Sequence, residues 1–275
     1  MIRTEKLSFS YGNNEILRNI DLHIKKGSFT VILGRNGSGK STLAKHFNAI
    51  LLPSGGAVYV KNTDTKNKDE ILNIRRTVQM VFQNPDNQAV AAIVENEIAF
   101  APENLGVPSE EIRRRVNESL AAMNMTKYAK SAVANLSGGQ KQLIAIAAAL
   151  AANPECIVLD EPTAMLDPKN RAAVISAIHS LNREKGITVV LITHYMEEAV
   201  DADRVIVTDN GKIALDNTPR EIFKNADMIK ALGLDVPQPA ELMNNLRKNG
   251  FDVREDILTA DEAAAEIIKI LGESK

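Results

Sequence analysis

Hydrophobic positions along the chain form compact, β-branched runs that alternate with stretches of helical spacing. Apolar residues three and four positions apart predict amphipathic helices, and short continuous apolar runs are typical of buried strands. The runs that predict strands are 29–33, 78–82, 157–159, 189–193 and 205–207, and the stretches that predict helices are 43–51, 109–130, 138–152, 169–184 and 196–200. This alternation predicts an α/β fold, in which helices cover both faces of a parallel sheet.

The N-terminal segment, 1–30, departs from this alternation. Leu7, Phe9 and Tyr11 alternate with polar positions, and a glycine and two asparagines at 12–14 then favour a turn. An alternating pattern is typical of half-buried antiparallel strands. We therefore expect an N-terminal antiparallel β sheet at the side of the parallel sheet.

The C-terminal segment also differs from the rest of the chain. From about residue 235 two prolines interrupt the sequence, and two short amphipathic helices are predicted beyond them. The second helix follows a capping-box pattern at 259–262. We expect one large domain over 1–234 and a small, α-rich appended unit over 235–275.

Composition excludes several classes of protein. The single cysteine, Cys156, cannot form a disulfide framework or a multi-thiolate metal site, which favours the reducing cytosol. The formal net charge of −2 provides no broad basic field for nucleic acid or anionic lipid. Apolar runs stay well short of the roughly 20 residues that a spanning helix needs. A role at a membrane would therefore require a partner that supplies the spanning segments.

A phosphate-binding loop is predicted where strand 29–33 gives way to a helix. The pattern there is glycine, four further residues, glycine, lysine and serine. Glycines let the backbone curl so that N–H groups point at one phosphate chain, and the helix start adds a positive end. Lys40 can reach the β- and γ-phosphates, and the Ser41 hydroxyl can bind Mg²⁺. A plain glycine-rich turn is the alternative. The candidate nucleotide-binding residues are Gly34, Arg35, Asn36, Gly37, Ser38, Gly39, Lys40, Ser41 and Thr42.

Two acidic residues, Asp160 and Glu161, follow the buried strand 157–159 directly. Parallel strands deliver their carboxyl ends to one edge of a sheet, where ligands bind. We therefore expect Asp160 to lie near Ser41 and to hold Mg²⁺, and Glu161 to polarise a water for attack on the γ-phosphate. The alternative is a pair of acids at a helix start before Pro162.

A second candidate anion site precedes the alanine-rich helix 138–152. Residues 136–140 are Leu-Ser-Gly-Gly-Gln, and they offer a serine hydroxyl and glycine N–H groups at a helix N-terminus. The loop at 34–42 is sufficient to bind the phosphates of one ATP molecule. A second phosphate-binding element in the same chain therefore needs another explanation.

In this arrangement of motifs the sequence resembles the ABC ATPase family over nearly all of 1–225, which implies a P-loop NTPase core with a helical signature subdomain at about 84–150. The resemblance implies ATP and Mg²⁺ as ligands and two facing subunits, in which each signature caps the ATP held by the opposite loop. The implied roles are adenine stacking for Tyr11, Mg²⁺ and water contacts for Gln83, signature contacts for Ser137, Gly138, Gly139 and Gln140, the Mg²⁺ site for Asp160, catalysis for Glu161, a seam loop at Asp167 and a γ-phosphate switch for His194.

Three further stretches are more particular. Residues 83–88, 95–100 with 102–106, and 233–237 are similar to the ATPase subunits of energy-coupling factor importers. That resemblance implies an importer of a transition-metal ion such as cobalt or nickel, or of a vitamin. It also implies a transmembrane coupling protein, a substrate-binding membrane protein, and a peripheral location at the cytoplasmic face of the cell membrane. Residues 85–106 are the candidate docking surface.

Several alternatives stay open from sequence. The chain could serve another ABC transporter, or less readily act as a soluble ABC ATPase on nucleic acid or ribosomes, although the coiled coil or fused second ATPase of those proteins is missing. The transported substrate and the choice between homodimer and heterodimer are not encoded here. Leu143, where the family usually has arginine, and the bulky Met165 depart from the family pattern.

Overall fold

The computed structural model describes residues 1–273 of the chain. Strands and helices are numbered separately in chain order. The strands are β1 (Ile2–Tyr11), β2 (Asn14–Ile24), β3 (Phe29–Gly34), β4 (Gly55–Val60), β5 (Thr63–Asp64), β6 (Val78–Val81), β7 (Cys156–Asp160), β8 (Thr188–Ile192), β9 (Arg204–Asp209) and β10 (Lys212–Asn217). The helices are α1 (Lys40–Phe47), α2 (Ile71–Thr77), α3 (Val94–Asn104), α4 (Ser109–Ala122), α5 (Gly138–Ala151), α6 (Pro168–Lys185), α7 (Pro219–Phe223), α8 (Ala226–Ala231), α9 (Gln238–Lys248) and α10 (Ala260–Glu273).

The central sheet has the strand order β10-β9-β3-β8-β7-β6. All its neighbouring strands are parallel except β10, which runs antiparallel to β9 at the edge. Every residue of β3, β7 and β8 is buried, which is why these strands are continuous apolar runs in the sequence. The predicted parallel α/β sheet of a P-loop NTPase is confirmed.

The predicted antiparallel side sheet is also confirmed, in the order β2-β1-β4-β5. Its inner face packs with α1 and with one face of the central sheet in a single hydrophobic cluster. That cluster joins Phe9 of β1, Phe47 of α1 and Val190 of β8. Helix α1 therefore lies between two sheets, and this packing holds the loop that precedes it.

The other face of the central sheet is covered by helices. A second hydrophobic cluster runs from Leu191 of β8 through Ile178 of α6 and Ile146 of α5 to Ile98 of α3 and Leu120 of α4. Helix α5 contacts α3, α4 and α6 directly. The segment between β6 and β7 is thus a helical layer supported by α5, as the family resemblance implies.

Several helix bounds differ from those predicted. The helix expected at 43–51 ends at Phe47, and Ala49 beyond it has a φ of 56°. The helix expected at 109–130 ends at Ala122, because Asn124 also adopts a left-handed conformation with a φ of 56°. A single 3₁₀ turn replaces the helix expected at 196–200. Apolar spacing continues through such turns, so periodicity alone placed these ends too late or assigned the wrong helix type.

The C-terminal residues form the two predicted helices, α9 and α10. Between them Met243, Val253, Ile257 and Ala263 make a small hydrophobic cluster. Leu258 nevertheless packs into the main core, so the segment is also attached to the large domain. Within residues 1–273, every helix is too short or too polar to cross a membrane. The boundary proposed at residue 234 stays a prediction.

Candidate active site

The loop between β3 and α1 is held by close packing. A Cβ atom on Gly34 would lie 2.4 Å from the hydroxyl oxygen of Thr208 on β9, so a larger residue would not fit there. The hydroxyls of Ser38 and Thr208 are 2.9 Å apart and pin the middle of the loop to β9. Gly39 precedes α1 with a φ of 101°, a left-handed conformation that favours glycine. The loop is therefore a tightly built turn whose curvature depends on these glycines.

Lys40, the first residue of α1, is 4% exposed and folds back into the loop. Its Nζ donates hydrogen bonds to the carbonyl oxygens of Gly34 at 2.7 Å and Arg35 at 3.1 Å. It also lies 3.9 Å from Oε1 of Glu161. Burial lowers the pKa of Lys40, and the nearby carboxylates of Glu161 and Asp160 oppose that effect. The ammonium group is thus held at the centre of the loop with its charge only partly balanced.

Asp160 lies beside Ser41, as the strand arrangement predicted. The Ser41 hydroxyl donates to Oδ1 of Asp160 at 2.8 Å. Burial raises the pKa of Asp160, and the adjacent Glu161 raises it further, while the Ser41 hydrogen bond lowers it. Oxygen atoms from the loop helix and from the end of β7 therefore converge, although the metal role of this pair stays a prediction.

Glu161 is the meeting point of the polar side chains in this region. Its backbone has a φ of 48°, which is costly for a non-glycine residue and is maintained here by a hydrogen bond from its N–H to Ile192 of β8 at 2.9 Å. Gln83 Nε2 donates to its Oε2 at 3.3 Å, and His194 Nδ1 lies 3.4 Å from the same oxygen. The strained backbone thus directs the carboxylate into a cluster with Gln83, His194 and Lys40.

Lys40, Gln83 and Glu161 border a cleft of about 390 Å³, whereas His194 lies outside its lining. Its lining includes Ile16 on β2, which the sequence did not indicate, because nothing distinguishes this apolar residue until the side sheet folds beside the loop. Tyr11 lies at the end of β1, half exposed, with its ring edge-on to Phe9 at a centroid distance of 4.8 Å. The lining residues are Ile16, Asn36, Gly37, Gly39, Lys40, Ser41, Thr42, Gln83 and Glu161.

The signature residues lie apart from this lining and cap α5. Ser137 accepts a hydrogen bond from the Gln140 N–H at 3.4 Å, and Gln140 Oε1 accepts one from the Ser137 N–H at 2.9 Å. Gln140 also donates to the Tyr128 hydroxyl at 2.7 Å. This capping box fixes the helix start, where Ser137 and Gly138 are exposed and Gly139 is buried.

The signature packs against the loop that carries Asp167. A Cβ atom on Gly139 would lie 2.7 Å from the Asn170 side chain, so the two helix starts touch closely. Asp167 caps α6 by accepting a hydrogen bond from the Asn170 N–H at 3.0 Å. That bond, followed by a second from the Asn170 side chain, lowers the pKa of Asp167. The structure therefore groups the predicted residues into two sets, one around the cleft and one at the starts of α5 and α6.

Comparison with known proteins agrees with this geometry. Residues 17–164 match the family model described as ABC transporter. The energy-coupling factor transporter ATP-binding protein EcfA1 of Caldanaerobacter subterraneus subsp. tengcongensis is 58% identical over 267 residues, which cover 95% of this chain and 96% of that protein.

Solved structures show the same likeness. The cbiO1 protein from Clostridium perfringens, described as part of the ABC transporter complex cbiONQ, is similar with a TM-score of 0.77 and 34% identity, covering 88% of this chain and 98% of that chain. A dimeric ATP-binding cassette in a post-hydrolysis state bound to ADP and Pi has a TM-score of 0.71 and 32% identity, covering 80% of this chain and 99% of that chain.

The fold and the site define an ATP-binding, ATP-hydrolysing P-loop enzyme. The chain belongs to the ABC transporter family and, within it, to the energy-coupling factor transporter ATP-binding proteins.

Replacing Lys40 by alanine removes the buried ammonium group at the centre of the loop. Because hydrogen bonds to charged groups contribute about 1.5–3 kcal/mol, we expect ATP affinity to fall roughly 10- to 100-fold. Isothermal titration calorimetry with ATP measures this change. Lys212→Ala, at an exposed position on β10, is the matched control and should bind ATP normally. Unchanged affinity in Lys40→Ala would contradict a phosphate role for Lys40.

Proposed function

We propose that this chain is the ATP-hydrolysing subunit of an energy-coupling factor type importer, peripheral at the cytoplasmic face of the membrane. It acts as half of a nucleotide-sandwich dimer, and its cargo is a transition-metal ion such as cobalt or nickel, or a vitamin. In this proposal 1–234 is the catalytic domain and 235–275 an accessory unit. The observation that carries it is the presence of two phosphate-binding elements that lie apart within one chain.

The dimer follows from that separation. The cleft offers the loop at 34–42, whereas the start of α5 presents Ser137 and Gly138 on another exposed surface. A second subunit facing the first brings each α5 start onto the ATP held by the opposite loop, which gives both elements a phosphate to bind. The similar cassette that is dimeric with ADP and Pi supports this arrangement. The partner is a second copy or a related ATPase.

In the proposed hydrolysis step, a water attacks the γ-phosphorus, and the bond from that phosphorus to the oxygen bridging the β- and γ-phosphates breaks. Glu161 accepts the proton of the water, and ADP and inorganic phosphate are the products. Gln83 and His194, which both approach Oε2 of Glu161, orient the water and contact the γ-phosphate. Lys40 stabilises the charge on the phosphates, and Tyr11 stacks on the adenine.

The residues at the end of β7 fit Mg²⁺. Ser41 and Asp160 offer two oxygen atoms 2.8 Å apart, Gln83 lies at the same cleft, and Mg²⁺ prefers oxygen ligands. Burial raises the pKa of Asp160, and a bound cation would favour its charged form. When bound, Mg²⁺ neutralises charge on the phosphate oxygens. Within residues 1–273, no set of three His, Cys, Asp or Glu side chains forms a metal site, so phosphate oxygens and waters would complete the shell.

A groove between β6, α3 and α5 supports docking to a membrane protein. It has a volume of about 420 Å³, and Phe82 and Pro85, on either side of Gln83 in the sequence, line it. Val90 and Phe100 line it and are 59% and 47% exposed, an arrangement suited to receiving an apolar helix. The predicted docking segment 85–106 supplies much of its wall. We infer that cytoplasmic helices of the transmembrane coupling protein occupy this groove.

The conformational change caused by ATP binding and hydrolysis would be transmitted to the membrane protein through Gln83. This residue contacts Glu161 on one side and is followed directly by the segment that borders the groove. Closure of the dimer on ATP moves that segment, and hydrolysis followed by phosphate release reopens it. The relatives named energy-coupling factor transporter ATP-binding protein support the importer assignment.

Glu161→Gln keeps the shape of the side chain but removes the proton acceptor. We expect turnover to fall roughly 10²- to 10⁴-fold while ATP binding is retained, so that a closed dimer accumulates. Steady-state phosphate release measures turnover, and size-exclusion chromatography with ATP measures the dimer. Turnover near that of the unmodified protein would exclude Glu161 as the base.

Ser137→Arg places a bulky cation at the exposed start of α5. We expect it to block hydrolysis because the signature can no longer approach the opposite ATP, whereas ATP binding by the single subunit remains. Ser109→Arg, at the exposed start of α4, is the matched control and should hydrolyse ATP normally. Normal hydrolysis by Ser137→Arg would contradict the sandwich dimer.

The importer assignment is tested by affinity purification of the tagged protein from detergent-solubilised membranes. We expect recovery of a coupling membrane protein, a small substrate-binding membrane protein and, in a heterodimer, a second ATPase. Phe100→Asp should reduce this recovery without loss of ATP binding, whereas Leu72→Asp, at an exposed position on α2, should not. Recovery of the unmodified chain without membrane partners would contradict the importer while leaving the ATPase assignment intact.

A further inference from the structure

A buried cluster beside the proposed catalytic residues joins the loop between β7 and α6, the turn that follows β8, and helix α6. Its centre is Glu198, in the 3₁₀ turn that follows β8, which is only 5% exposed. The Thr163 hydroxyl donates to Oε1 of Glu198 at 2.6 Å, and Arg171 Nε lies 4.0 Å from the same oxygen. Thr163 follows Glu161 closely in sequence, so Glu198 touches the loop that carries the proposed base.

Arg171, on α6, extends the cluster in two directions. Its Nη2 donates to the carbonyl oxygen of Leu166 at 3.5 Å, on the loop that leads to Asp167. Its guanidinium carbon lies 3.4 Å from the ring centre of Tyr195, within the range of a cation–π contact. Arg171 therefore contacts both the seam loop and the residue that follows His194.

Tyr195 transmits the contact to His194. The two rings have a centroid distance of 4.2 Å and a tilt of 38°. The Tyr195 N–H donates to the Thr193 hydroxyl at 3.0 Å, which keeps the backbone of this turn in place. The His194 side chain is 40% exposed, and its Nδ1 lies 3.4 Å from Glu161 Oε2. Because one side of His194 faces solvent, Tyr195 is a main support for its orientation.

We propose that Arg171 and Glu198 are positioning residues for ATP hydrolysis, which hold His194 beside Glu161 by acting through Tyr195. The inference rests on the proposed roles of His194 and Glu161. It adds that the loop carrying Asp167 is connected to His194 of the same subunit through the contacts of Leu166, Arg171 and Tyr195.

The charge of Glu198 also bears on this role. Burial raises the pKa of its carboxyl, and hydrogen bonds from the Thr163 and Thr193 hydroxyls oppose that change. A buried acid is costly, and an apolar side chain could fill the same space with less desolvation. An acid at this position is instead suited to fixing Arg171, Thr163 and the 193–196 turn in one relative geometry.

The test compares conservative variants in the assembly in which the chain hydrolyses ATP. Glu198→Gln keeps the acceptor for Thr163 but removes the charge near Arg171, and Arg171→Lys keeps the charge but removes the planar contact with Tyr195. Since misplacement of a reacting group by about 1 Å can cost on the order of 100-fold, we expect kcat to fall roughly 10- to 100-fold, with unchanged ATP affinity and melting temperature.

Two matched control variants and two substitutions of the Tyr195 ring are measured beside these variants. Glu197→Gln and Arg183→Lys alter exposed residues of the same turn and the same helix, and they should hydrolyse ATP normally. Tyr195→Phe keeps the ring and should lose less activity than Tyr195→Leu. A decrease in both melting temperature and ATP affinity across the variants would overturn the inference, because it would indicate a role only in folding.

Double variants that also carry His194→Ala distinguish failure of this inference from failure of the role proposed for His194. If Arg171 and Glu198 act through His194, their variants should add little to the loss caused by His194→Ala. The inference would be overturned if the losses in kcat of the single variants multiplied in the double variants. It would also be overturned if Glu198→Gln and Arg171→Lys had normal kcat while His194→Ala was slow. Normal turnover in His194→Ala itself would instead contradict the role proposed for His194.

Discussion

The parallel pairing of β8 with both β3 and β7 is the constraint on which the site depends. Ile192 at the end of β8 pairs with Ile32 of β3 and with Asp160 of β7. The loop after β3 and the acids after β7 therefore emerge side by side, and the Ser41 hydroxyl bonds Asp160 across that edge. The strands can pair this closely because all their residues are buried between α1 on one face and the helical layer on the other.

The charged groups of Lys40 and Asp160 lie close together at this edge of the sheet, where they are poorly solvated. Burial lowers the pKa of Lys40 and raises that of Asp160. Hydrogen bonds hold both groups in place, from Lys40 to the loop carbonyls and from Ser41 to Asp160. Glu161 accepts a left-handed backbone to reach the same cluster. Such an arrangement of strained and partly balanced groups is characteristic of sites that bind and transform a charged substrate.

The packing of α5 on α6 accounts for the second set of residues. Gly139 allows the two helix starts to touch, and Asp167 and Ser137 cap them. The two helix starts are therefore packed against each other, and Arg171 on α6 contacts Tyr195 in the turn that carries His194. In the proposed dimer, the elements that would face the partner and the elements that hold the proposed catalytic groups would be joined through a few buried contacts.

The sequence by itself determined the sheet class, the phosphate loop, the carboxylate pair and the signature, because each depends on local residue order or periodicity. It placed the ends of the helices near 51 and 130 too late, since the left-handed residues Ala49 and Asn124 interrupt them without breaking the apolar pattern. Only the tertiary structure decided that Ile16 lines the cleft and that Glu198 joins the loop after β7 to the turn after β8, because those roles come from contacts between distant segments. It also decided that the signature lies away from the loop of its own chain, since helix packing, which no local pattern encodes, sets that separation.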